Sequence, residues 1–209
     1  MVTSSEVVRR IKSKFKLDKV GHCGTLDPFA EGVLLIVTGC KTSESNKYMD
    51  SAKSYRATIS LGKQTDTLDH LGEVIKIQND FVGPPSETEI KKILTQFNGR
   101  VMQRPPAFSA KKINGVRLYK LARDDVFVHL KPVPVQINSI SLVTIQDNEL
   151  TIDVECSKGT YIRQLGLDIA RSMGTYGYLS SLTRTGVGSF DSSNCFDFRD
   201  IDSWNSTAH

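Results

Sequence analysis

The chain has 209 residues, 39% of them hydrophobic and 24% charged, with a formal net charge of +4. That length sustains one domain, or one domain with an insertion, around a sizeable core. No apolar run approaches the roughly 20 residues of a membrane helix, and residues 1–10 lack the long apolar segment of a secretory signal. Cys23, Cys40, Cys156 and Cys195 are scattered, with no Cys-x-x-Cys pair and no paired histidines. Reduced thiols in a cytosol-like compartment are expected, and neither a disulfide framework nor a metal centre. His22 beside Cys23 does not change this, because adjacent residues are rarely both ligands and nothing completes the set.

Thr3-Ser4-Ser5-Glu6 has the pattern of a capping box, and Val7, Val8, Ile11 and Phe15 share one helical face behind it. Val33 to Val37 reads as a buried strand. Tyr55 to Leu61 alternates like a strand with one buried side, and Glu73 to Ile77 is expected to pair with it. Ser86 and Glu89 open an amphipathic helix through Ile90, Ile93, Leu94 and Phe97 that stops at Gly99. Pro105-Pro106 ends regular structure, and an extended arm follows. Val126 to Leu130, Val133 to Ile145 and Glu149 to Cys156 read as strands, with Asp147-Asn148 as a hairpin turn. Thr160 to Met173 reads as a helix closed by Gly174. Strands and helices intermix without strict alternation, which predicts an α+β fold with a mostly antiparallel mixed sheet and flanking helices.

Two stretches carry chemistry. Gly21-His22-Cys23-Gly24-Thr25-Leu26-Asp27-Pro28 presents a single carboxylate, Asp27, in a tight glycine-bordered turn. Pro28 fixes its own φ and biases Asp27 towards extended backbone, so the loop is rigid. The same residues also suit an Asx-type turn in which Asp27 only bonds backbone. The second stretch, residues 100–123, holds seven cations and no anion: Arg100, Arg104, Lys111, Lys112, Arg117, Lys120 and Arg123. Solubilising surfaces usually mix signs, so a one-sign segment favours a polyanionic partner, nucleic acid first.

The pattern Gly-His-x-Gly-Thr-Leu-Asp-Pro-x-Ala-x-Gly-Val-Leu resembles the signature of the TruB family of tRNA pseudouridine-55 synthases. Lys53-Ser54-Tyr55-Arg56 and Leu61-Gly62-Lys63-Gln64-Thr65-Asp66-Thr67-Leu68-Asp69 are similar to the blocks that follow it. Pro105 through Tyr119, Ala122 and Arg123 resembles the family's RNA-binding thumb, and Cys156 through Arg163 its late catalytic block. The resemblance implies a stand-alone isomerase that converts a uridine in the tRNA T-arm to pseudouridine, working in the cytoplasm without cofactor, metal or obligate protein partner; the oligomeric state stays open, with a monomer expected. It implies a pseudouridine synthase-like catalytic domain over residues 1–190, an inserted basic thumb over about 100–125, and a short tail over 191–209.

The site residues follow from the same matches. Asp27 corresponds to the catalytic aspartate, Arg163 to the arginine paired with it, and Tyr55 to the tyrosine that stacks on the target base. Leu182 falls where an apolar wall lies under the base, with generic core leucine as the competing reading. Tyr55 alone would read as a core aromatic. Arg163 alone would read as a solvated residue near a helix start, a place where a cation is unfavourable without a specific partner. His22 matches the histidine near the extruded nucleotide. Gly24, Thr25 and Lys158 join the substrate-binding set, with Arg104, Lys111, Lys112 and Arg117 from the thumb. The chain departs from the family pattern in three places. Only Met1-Val2 precede Thr3-Ser4, where relatives carry a Lys-Pro strand; Lys41 and Ser43 replace the usual Ala and Lys; and Phe108 stands where tyrosine is common. No PUA domain is expected after Phe190. A tRNA-folding module impaired in catalysis ranks second, and a guide-RNA-dependent rRNA synthase third.

Overall fold

The structure, a computed structural model, describes residues 2–109, 112–113, 115–118, 126, 128 and 130–205. The regular elements run in chain order as α1 (Ser4–Lys14), β1 (Val20–His22), β2 (Glu31–Gly32), β3 (Ile36–Thr38), α2 (Ser45–Asp50), β4 (Lys53–Leu61), β5 (Lys63–Thr65), β6 (Val74–Ile77), α3 (Glu87–Thr95) and β7 (Gly99–Gln103). After them come β8 (Lys112–Ile113), β9 (Val116–Arg117), β10 (Val133–Gln146), β11 (Glu149–Cys156), α4 (Ile162–Ser172), β12 (Gly177–Val187) and β13 (Phe190–Asp191). The chain forms two compact units, residues 1–55 with 183–209, and residues 56–182. The fold is α+β, as the intermixed pattern predicts. Among the described residues, no helix is long and apolar enough to cross a membrane.

The second unit is built on strands in the order β12-β4-β11-β10-β7. Ala57, Ile59 and Leu61 alternate inward on β4, and Leu150, Ile152 and Val154 do so on β11, all nearly inaccessible. Each valine, leucine or isoleucine among them contributes about 1.5–3 kcal/mol on burial. On the other face of β11, Asp153 takes a two-point ion pair from Arg56, with the closer contact at 2.7 Å. α4 lies against this sheet at very short range. A Cβ on Gly166 would come 2.8 Å from Leu179, and one on Gly177 would come 2.7 Å from Ala170. α3 carries the expected capping box between Ser86 and Glu89 and buries Ile90 and Leu94. Asp147 takes a left-handed φ of 50° in the β10–β11 turn, as a tight hairpin requires.

Several expectations need correction. Glu73 to Ile77 does not pair with β4. Its strand, β6, pairs with β5 (Lys63↔Ile77), because Gly62 at φ 87° ends β4 and starts a separate hairpin. The capping box of α1 is half formed: Thr3 accepts from the Glu6 amide at 3.2 Å, while the Glu6 carboxylate turns to Arg9. The late helix begins at Ile162, with Tyr161 as its cap, because Gln103 holds the Tyr161 backbone from both sides. In the basic arm, Lys112 and Arg117 are register partners in the short β8–β9 hairpin. Lys111, Lys120 and Arg123 lie outside the described residues. Of the strand expected over 126–130, residues 126, 128 and 130 are described and are not in a strand.

In the first unit, α1 buries Ser4 and Ile11. Val33 to Val37 is not one strand. Val33 donates its amide to the Arg184 carbonyl at 2.8 Å, Leu35 accepts from Cys23 at 2.9 Å, and only Ile36–Thr38 forms β3, antiparallel to β1. The apolar run changes partner midway, because Gly32 at φ 98° feeds it from β2, which runs parallel to β12 (Thr183↔Glu31, Arg184↔Gly32).

Candidate active site

The loop carrying Asp27 is fixed at several points within the first unit. Its entry is β1, where His22 faces Ile36 in register. Gly24 adopts φ 106°, a backbone that side-chain-bearing residues rarely take. The Leu26 amide donates to the Ser4 hydroxyl at 3.1 Å, which ties the loop to the start of α1. The Ala30 amide donates to the Asp27 carbonyl at 3.0 Å, closing a turn with Pro28 in its second position, where a fixed φ near −65° is favoured. Asp27 itself is half-buried.

Arg184, which sequence reasoning missed, holds both ends of this loop. It is 1% exposed, and its Nε donates to the Val33 carbonyl at 2.7 Å while a terminal nitrogen donates to the Gly24 carbonyl at 3.0 Å. At Gly32 the main chains are so close that a Cβ would lie 2.3 Å from the Arg184 carbonyl. The only signal in the sequence is an arginine at an inward position of an alternating strand, Leu182-Thr183-Arg184-Thr185.

His22 is half-buried, and its Nδ1 is inaccessible, with no hydrogen-bond partner among the described residues. Burial, and next the Arg184 charge, push its pKa below the ordinary value, so the neutral imidazole is favoured. Burial raises the Cys23 thiol, opposed in part by the charge of Lys53. Lys53 is 6% exposed and donates to the carbonyls of Met49 and Ser51, at the C-terminal end of α2. Tyr55 is half-buried, two residues further along β4, and Thr25 is exposed at the loop surface.

In the second unit, Arg163 is 5% exposed on the first turn of α4. Its guanidinium donates to the Thr67 carbonyl at 2.6 Å and the Phe108 carbonyl at 2.9 Å, and lies 3.6 Å from the carboxylate of buried Asp69. Asp69 in turn accepts from the Thr67 hydroxyl at 2.8 Å and the Leu71 amide at 3.0 Å. Sequence reasoning did not single out Asp69 or Gln103 as positioning residues. Leu182 is 5% exposed near the end of β12's share of this unit, Lys158 is exposed on the turn after β11, and Arg104 is exposed just after β7. Within the first unit, a half-buried carboxylate on a clamped loop and a neutral histidine are groups that serve proton or nucleophilic chemistry.

The fold is that of the pseudouridine synthases. The structure superposes on a Cbf5–Nop10–Gar1 complex with a TM-score of 0.69 and 28% identity, covering 91% of this chain and 46% of that one. An archaeal box H/ACA Nop10–Cbf5 complex gives a TM-score of 0.69 at 24% identity, over 97% and 50% of the two chains, which speaks to the fold alone. The profile of the TruB family pseudouridylate synthases (N terminal domain) matches residues 12–162, and the chain belongs to that family. It is 40% identical over 185 residues to the tRNA pseudouridine synthase B of Aquifex aeolicus, covering 88% of this chain and 63% of the relative. To the corresponding protein of Bordetella avium it is 40% identical over 190 residues, covering 90% and 78%. The chain thus spans less than two thirds of the Aquifex relative's length.

Proposed function

We propose that the chain carries the isomerase activity named for its relatives, converting a uridine of tRNA, at position 55 in the T-arm, to pseudouridine. The observation that carries this reading is the family's Gly-Thr-Leu-Asp-Pro loop, which presents a single carboxylate and is held at Gly24 and Val33 by Arg184. The reaction breaks the C1′–N1 bond, turns the uracil and joins C1′ to C5. No electrons are transferred and no group donor is consumed. It needs one ionised carboxylate, a counter-charge and a wall that retains the detached base.

In this reading Asp27 is the carboxylate and Arg163 its counter-charge, with Asp69 holding the guanidinium in place. Tyr55 stacks on the base, Leu182 lies beneath it, and neutral His22 sits beside the extruded nucleotide with Gly24, Thr25 and Lys158. Extrusion costs a few kcal/mol (roughly) and is cheapest in a loop, which suits a T-arm. Arg104, Lys111, Lys112 and Arg117 hold the RNA backbone from the thumb, as A-form RNA is read through phosphates and 2′-hydroxyls. Residues 1–190 form the catalytic domain, working in the cytoplasm. Identity near 40% to proteins named for tRNA, against 28% to a Cbf5 complex, ranks a guide-RNA-dependent activity lower.

The test is chemical mapping of pseudouridine on a tRNA transcript with this protein alone. Asp27→Asn, nearly isosteric, is expected to abolish product and keep tRNA affinity. Product formed by that variant at the wild-type rate would remove Asp27 from the mechanism.

A further inference from the structure

We propose that Arg9, Lys12, Lys16 and Lys19, on α1 and the turn after it, form a second contact surface for RNA backbone, in addition to the thumb residues. Residues 7–26 contain six cations and one anion, Asp18. The fold uses two of the six internally: Arg10 lies 4.9 Å over the Phe198 ring, and Lys14 donates to the Asp202 carbonyl. The other four are exposed. Arg9 has only a 3.9 Å approach to Glu6, and no carboxylate pairs with Lys12, Lys16 or Lys19 among the described residues. The Gly39 amide donates to the Lys19 carbonyl, so the stripe ends against the following turn and the chain continues directly into β1 and His22.

Lys16 gives an independent sign that charge is kept here for a purpose. It takes a left-handed φ of 51° just past the helix, and the Leu17 amide closes back on the Lys12 carbonyl at 3.0 Å. Glycine is the ordinary occupant of such a position, because it adopts this backbone without strain. A lysine there sacrifices fold stability and adds a cation to the stripe. A membrane surface is the weaker reading, since an interfacial helix needs a free apolar face. Ile11 of α1 is 6% exposed, and Val7, Val8 and Phe15 on the same face are half-buried, so the helix offers no fully free apolar face.

The inference rests on the RNA-substrate reading, and two separate measurements tell their failures apart. The variant Lys12→Ser/Lys16→Gly/Lys19→Ser is titrated with a tRNA transcript across a salt series, beside wild type. Three lost phosphate contacts should lower the slope of log affinity against log salt by about 2–3. Apparent KM should rise while the saturated rate stays at the wild-type value, since none of the three residues supplies a chemical group. Lys16→Gly alone should raise Tm yet weaken binding, a combination that damage to the fold cannot produce. An unchanged slope overturns the proposal, whether or not affinity falls. So does full RNA affinity accompanied by lost binding to phosphatidylcholine–phosphatidylserine vesicles, which would make this a membrane surface. Wild-type protein that shows the steep slope, lost in the variant, but forms no pseudouridine overturns the isomerase reading and still supports this surface.

Discussion

Replacing Arg184 tests whether the catalytic loop is held by a buried cation. Lysine keeps the charge but offers a single nitrogen in place of the two separate nitrogens that Arg184 uses, so the bonds to the Val33 and Gly24 carbonyls cannot both keep their geometry. The lost charge-assisted bond and the carbonyl left without a donor together cost about 2–3 kcal/mol. For a chain of this length that corresponds to a Tm lower by roughly 5–10 °C. Methionine loses both bonds but also removes a desolvated charge, so its cost is larger without doubling, about 3–5 kcal/mol. The turnover of both variants should fall as the loop loosens.

A second readout separates charge from packing. The Arg184 cation is one of the two causes that depress the His22 pKa, after burial. Arg184→Met should therefore raise the His22 pKa, measured by NMR titration, while Arg184→Lys should leave it depressed. The linkage has a definite sign. A histidine depressed below 6.5 in the fold leaves the unfolded chain binding more protons, so stability falls as pH drops below about 6.5. That loss should be shallower in the methionine variant. A methionine variant with wild-type Tm and an unshifted His22 titration would refute the clamp.

Asp69→Asn keeps the oxygen that Thr67 and Leu71 donate to and puts an uncharged amide nitrogen where the carboxylate oxygen faces Arg163. Breaking a buried pair from one side should cost about 3 kcal/mol, read by thermal or urea unfolding, and turnover should fall with it; unchanged values would show that the carbonyls alone hold Arg163. Gly32→Ala places a Cβ 2.3 Å from the Arg184 carbonyl at φ 98°, so a loss of roughly 3 kcal/mol or more is expected. Gly39→Ala, at φ 54° with open space around it, should cost only about 1 kcal/mol, and equal losses would rule out the close main-chain approach as the cause.

The features legible in the sequence are those whose determinants are local. Ser86 and Glu89 cap α3 because both partners lie within one turn. Asp147-Asn148 reverses the chain between two alternating strands, and the inward residues of β4 and β11 follow a period of two. Asp27 stood out because Pro28 and the flanking glycines shape a turn by their own backbone preferences. Arg184 and Asp69 could not be singled out in this way. A charged residue in a strand reads as solvent-facing until the partners that compensate its burial are known. Those partners are the carbonyls of Gly24 and Val33 for Arg184, and Arg163 for Asp69, each far away in sequence. Strand partners were equally out of reach. Val33 to Val37 has the composition of a single strand, yet its hydrogen bonds divide between Arg184 and β1. Hydrophobic periodicity says which residues are buried; which backbone groups pair is settled only when distant segments compete for the same donors and acceptors.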